Sequence, residues 1–237
     1  MGPPHLRSRD ALRRNSCLHP RQRTLPPRRA PVFDFSLFRS LPFSVLCLAG
    51  ATQVFCLYVP PYFLPLFAHS IGLTASTGAG LVAAFQVCAA LGRIGLGYAC
   101  DKLGATNTLL LASAINAVSM LAIWPVSDTI GLLGLFAALN GLANGAFFVS
   151  FPVAIAKNVE PGRAAAGMSI GTSGWTFGYL LGSPIAGALI GATGAEKSSS
   201  IEPYRAAIFY AGGVAALSTV FVIFARLRLD TKLVKKL

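Results

Sequence analysis

Arg93 lies in an apolar stretch, Thr77 to Cys100, that holds no other charge. The local sequence is Gly92-Arg93-Ile94-Gly95-Leu96-Gly97-Tyr98-Ala99-Cys100-Asp101-Lys102-Leu103-Gly104. A guanidinium presents five N–H donors in a planar fork, which suits two-pronged capture of a carboxylate. Placing it within a bilayer costs roughly 2.5–3.5 kcal/mol on insertion scales, so such a residue is retained where it has a partner or a task. Arg93, Gly97 and Asp101 are spaced four apart and share one face of a helix. Asp101 lies about 12 Å along the axis at 1.5 Å per residue, which is long for a direct pair. No acid precedes it on the same helix, and an uncompensated cation suits an anionic ligand.

Other polar residues inside apolar stretches are few. Gln86 stands seven residues before Arg93 and shares its face. Asn140 and Asn144 share a face in another stretch, interleaved with Gly141 and Gly145. Trp175 follows Thr172 and Ser173. Gln53, Tyr58 and Asn116 complete the set. Intramembrane amides either join helices or touch a solute, and spacing leaves both open. The expected solute-facing set is Arg93, Gln86, Asn140, Asn144 and Trp175. The expected structural and gating set is Gly92, Gly97, Asp101, Gly104, Gly182, Pro184 and Gly187. No nucleophile–base pair marks catalysis. The three histidines and five cysteines show no metal-ligand spacing, so no metal, cofactor or enzymatic activity is expected.

These residues must be positioned by membrane helices. Of the 237 residues, 54% are hydrophobic and only 12% charged, about half the share of a soluble domain. Six apolar stretches run approximately 41–66, 77–100, 105–126, 130–153, 167–190 and 204–225, each near the length a spanning helix needs. The expected fold is all-α: a polytopic membrane protein with a six-helix bundle over residues 32–230. Residues 1–31 carry eight arginines and read as a disordered cytoplasmic tail near anionic lipid. The basic residues behind the net charge of +12 lie mostly in that tail and in loops flanking the apolar stretches, which argues against a nucleic-acid partner. Of the 20 basic residues, 18 fall on one side of the membrane, so both termini are expected in the cytoplasm.

Small residues and prolines set the shapes of the helices. Gly174, Gly178 and Gly182 repeat every four residues, and Ser183, Gly187 and Gly191 form a second ridge; such ridges admit close helix approach. Pro184 is expected to kink the fifth helix. Pro60, Pro61 and Pro65 either interrupt the first helix beside a cavity or mark its end.

Three segments resemble the major facilitator superfamily, in particular the C-terminal half of a fungal monocarboxylate-porter-like member. Gly92-Arg93 with Gly97, Asp101-Lys102 and Gly104 is similar to the family signature between its eighth and ninth helices. Asn140-Gly141 through Pro152 resembles its tenth helix, and Gly182-Ser-Pro184-Ile-Ala-Gly187 its eleventh. The resemblance implies two six-helix halves with substrate between them, and an arginine, here Arg93, that meets a substrate carboxylate. The aspartate found one turn earlier in the proton-coupled animal branch is Ala89 here. The resemblance also implies that Asp101 meets a helix N-terminus of the other half.

The function expected is transport of a small organic anion, a monocarboxylate, across the plasma membrane. It would be secondary active or facilitated, within a larger assembly that includes the lipid bilayer and a separate N-terminal half or a second copy. The alternative is a truncated, non-transporting fragment or an incomplete gene model of such a transporter. One bundle supplies only one wall of an alternating-access site, so the chain alone is expected not to transport.

Overall fold

The computed structural model describes residues 34–193 and 201–229. The tail 1–31 and the basic residues Lys197, Lys232, Lys235 and Lys236 lie outside them. Among the described residues the chain is helical, with no strand. Six helices are long and apolar enough to cross a bilayer: α1 (Leu41–Ser70), α2 (Ala75–Leu103), α3 (Ala105–Val126), α4 (Ile130–Lys157), α5 (Pro161–Ala192) and α6 (Glu202–Leu229). The six apolar stretches are the cores of these helices, which continue a turn or so into polar flanks.

Local chemistry sets the ends. The Thr74 hydroxyl accepts from Thr77 N–H and caps α2, as Thr129 caps α4 by accepting from Leu132 N–H. Gly104 stops α2 with φ +89°, a conformation that suits glycine. An added Cβ at Gly104 would meet nothing within 4 Å, so its backbone, not space, needs the glycine.

Two helices are interrupted. α1 is helical from Leu41 to Leu57, breaks at Tyr58 and resumes over Val59–Ser70, so the prolines interrupt the helix and do not end it. Pro61 has no N–H for the Leu57 carbonyl one turn back. The Asn144 amide of α4 donates to that carbonyl at 2.9 Å instead. α5 breaks at Gly174, between Ala164–Ser173 and Trp175–Ala192. Pro184 lies inside the second segment, which stays helical through it. α3 loosens into a π turn over Ser119–Ile123 before a short 3-10 turn.

Close packing follows the glycines. An added Cβ would lie 2.2 Å from the Leu142 oxygen at Gly92, 2.4 Å from the Phe85 oxygen at Gly141 and 1.9 Å from the Ala89 oxygen at Gly145. α2 and α4 therefore touch backbone to backbone. Gly178 and Gly182 of α5 bring it against Val54 and Phe55 of α1 in the same way. The second ridge behaves differently: Gly187 meets only the Phe63 ring at 3.6 Å, and Gly191 meets nothing. α3 packs on α4 and α6, and α6 on α1, where the Ser218 hydroxyl donates to the Ala49 carbonyl at 2.8 Å.

At the start of the described region, Asp34 caps the 3-10 turn Phe35–Arg39 and pairs with Arg163, from the turn that opens α5. The Ser36 hydroxyl first, and then the Arg163 guanidinium, hold the Asp34 carboxyl below its ordinary range.

Two outcomes follow. Gly145→Ala, whose methyl meets backbone, should lower stability by about 1–3 kcal/mol, while Gly191→Ala should be near neutral; thermal melts in detergent report both. For Asp34, a depressed pKa stabilises the fold above the ordinary carboxylate value and is lost as pH falls through the depressed one. Acidification should therefore lower the melting temperature of the native chain more than that of Asp34→Asn.

Candidate functional site

Arg93 is exposed on α2, with its guanidinium carbon 5.7 Å from the Phe148 ring centroid of α4. No ion pair holds it among the described residues. Ala89, one turn earlier, is buried against Gly145, so that turn offers it no carboxylate. From Phe148 a chain of aromatic rings runs on. Phe148 meets Trp175 edge to face at 5.4 Å and Tyr58 at 6.4 Å. Tyr58 meets Tyr179 at 5.1 Å and Tyr62 at 6.0 Å.

The helices set this arrangement. Arg93, Phe148 and Trp175 each lie about 15 Å in from the same end of the bundle, at 1.5 Å per residue from Leu103, Lys157 and Ala164. Tyr58 and Tyr179 lie further along. Tyr58 occupies the break in α1, and Trp175 directly follows the break in α5. Interrupted helices at depth are tolerated where backbone is buried in protein or lines a cavity. The face is thus built from α1, α2, α4 and α5, while α3 and α6 pack behind it.

The expected residues divide. Gln86 is exposed, two turns from Arg93 on the same face of α2. Trp175 joins the aromatic chain, its indole N–H buried without a hydrogen-bond partner. Asn140 and Asn144 depart from the expectation that they face a solute. Asn140 is fully buried; its amide donates to the Asn116 carbonyl oxygen at 3.1 Å and to the Ser119 hydroxyl at 2.9 Å, joining α4 to α3 at the π turn. Asn144 is buried and occupied with the Leu57 carbonyl. Both amides hold helix to helix, because the glycines beside them bring α4 too deep into the bundle for its amides to reach the exposed face.

The structural set is placed as follows. Gly92 and Gly182 sit at backbone contacts, and Gly97 faces Val149 at 3.7 Å. Gly104 terminates α2, and Asp101 is exposed one turn before it, with no ion pair among the described residues. Pro184 is exposed and Gly187 half-buried. Tyr62, Phe148 and Tyr179 were not legible as site residues. One signal was available for Tyr58, since an aromatic directly before Val-Pro-Pro marks a helix interruption.

A family profile described as Major Facilitator Superfamily matches residues 18–236. The chain is 30% identical over 216 residues to an MFS-type transporter of Gibberella moniliformis, covering 87% of this chain and 49% of that protein. It is 28% identical over 206 residues to the aspyridones efflux protein of Emericella nidulans, covering 85% and 41%. It is 24% identical over 210 residues to the agnestins efflux protein of Paecilomyces divaricatus, covering 88% and 46%. The chain spans about half the length of these curated relatives or less.

An aqueous outlook for Arg93 is testable by thiol chemistry. With the native cysteines replaced, Arg93→Cys should react with a charged, membrane-impermeant thiol reagent at least about tenfold faster than Asn140→Cys, because the thiolate needs water and access. Equal protection of both sites would place position 93 against lipid.

Proposed function

The chain belongs to the major facilitator superfamily, and we propose that it forms the C-terminal half of a transporter for a small organic anion of the monocarboxylate-porter-like type. The observation that carries this reading is Arg93: a cation deep in a membrane helix, without a carboxylate partner among the described residues, on a face built by four helices. Such a group is retained where an anion arrives to meet it. Arg93 receives the carboxylate, with Gln86 and Trp175 beside it. Gly97, Asp101 and Gly104 form the gating end of α2, and Gly182, Pro184 and Gly187 shape α5. Family membership and the transporter names of the relatives point away from an enzyme.

The mode of transport in this reading is secondary active or facilitated, in the plasma membrane, with both termini cytoplasmic by the distribution of basic residues. The efflux names of two relatives support outward movement. Alternating access needs two bundles that move about a shared site. Here the second wall is an N-terminal half or a second copy. A second reading, that the bundle alone does not transport, is favoured by its span of about half the relatives it matches.

In a transport-competent protein that contains this chain, Arg93→Lys should reduce carboxylate flux by about tenfold at unchanged expression, because a point charge replaces a two-pronged donor. Unchanged flux in a stably expressed Arg93→Lys protein would remove the anion-binding role.

A further inference from the structure

An arginine that receives a carboxylate says nothing about the rest of the solute. We propose that the solute is a planar aromatic acid, whose ring system stacks on the Phe148–Trp175–Tyr58–Tyr179 face while its carboxylate meets Arg93. This rests on the anion reading above and narrows it.

Arg93 stands over Phe148, so a ring lodged against Phe148 carries its acid group within reach of the guanidinium. From there the surface is aromatic in both directions, to Trp175 and to Tyr58 and Tyr179. The three contacts have interplanar angles of 80°, 65° and 65°. Near-perpendicular rings meet edge to face, so in each contact one ring gives its edge and the other one face, and the edge-giving ring keeps its faces free of that neighbour. Tyr62 and Tyr179 keep 61% and 43% of their surface exposed. Trp175 backs this face from below: its ring packs on Phe147 and Phe151 as well as Phe148, and its indole N–H is buried without a hydrogen-bond partner.

The contrast with the rest of the surface argues for specificity. On α2 the exposed large residues away from this face include Val87, Leu91 and Ile94, which are aliphatic, and Tyr98; what sets the Arg93 face apart is that its rings touch one another. A carboxylate of two or three carbons would touch Arg93 and Phe148 and leave the remaining rings uncovered. A saturated acid would cover them but would lack the quadrupole that makes stacking favourable.

The test is equilibrium dialysis of three labelled acids against the chain in lipid nanodiscs, with empty nanodiscs as the background. The acids are naphthoate, its saturated decalin counterpart and lactate. Naphthoate should bind saturably, the decalin acid about tenfold more weakly, and lactate more weakly again. Tyr58→Leu and Phe148→Leu should each weaken naphthoate binding by about two- to tenfold and leave the decalin acid unchanged. Tyr179→Leu, at an exposed position that tolerates change, gives the same result without disturbing the fold. Arg93→Ala should weaken all three acids.

Naphthoate and the decalin acid binding equally, with both dependent on Arg93, would overturn the aromatic proposal and leave the anion reading standing. Naphthoate binding that depends on the rings but ignores Arg93 would overturn the anion reading and keep the aromatic face. Absence of saturable binding by any of the three would overturn both.

Discussion

The backbone contact between α2 and α4 is the constraint on which the rest of the site depends. Gly92 admits the Leu142 backbone, while Gly141 and Gly145 admit Phe85 and Ala89. Three glycines distributed over two helices leave little freedom in rotation or register, because any turn of α2 drives a Cβ into a carbonyl. In lipid no hydrophobic driving force pulls helices together, so this close approach supplies much of their association. With Gly92 turned inward, Arg93 must turn outward, about 100° around a helix of 3.6 residues per turn. Phe148, less than one turn beyond Gly145, then lies beneath the guanidinium.

The interruptions of α1 and α5 complete the face, and each has a local cause. Pro60 and Pro61 remove donors from the turn before them, and Asn144 repairs one of the freed carbonyls from another helix. That repair ties the break in α1 to α4 and keeps Tyr58 beside Phe148. In α5 the break lies at Gly174, where the chain has just begun to pack against α1 through Gly178 and Gly182. The two breaks therefore bring Tyr58 and Trp175 to the same surface. The buried set of Asn116, Ser119 and Asn140 performs a similar service behind the face, bonding α4 to the π turn of α3. Polar side chains in this bundle thus serve two ends. The buried amides Asn140 and Asn144 bond other helices, while Arg93 and Gln86 are exposed on α2.

A single bundle of this kind presents a cation, an amide and several aromatic rings on one side. Those groups suit a water-filled or solute-filled space better than hydrocarbon. Membership of the major facilitator superfamily, and relatives about twice as long as this chain, fit a surface that serves as one wall of a shared cavity.

The sequence alone determined what depends on composition and on periods along one helix. Six apolar stretches, the isolated charge of Arg93, the glycine stop after Asp101 and the family signature were all legible, because each is a local pattern of residue types. The fates of the amides were not. Asn140 and Asn144 share a face with each other, yet that face turns into the bundle, and only the packing of α4 against α2, α1 and α3 decides the matter. Gln86 and Asn140 look alike as lone amides in apolar runs; one is exposed and the other fully buried. Phe148 and Tyr179 carry no label in the sequence, since an aromatic residue in a membrane helix serves lipid, core or cavity equally well. Their meeting with Arg93 joins residues from four helices, and contacts across such distances along the chain are set by helix rotation and register, which tertiary structure alone supplies.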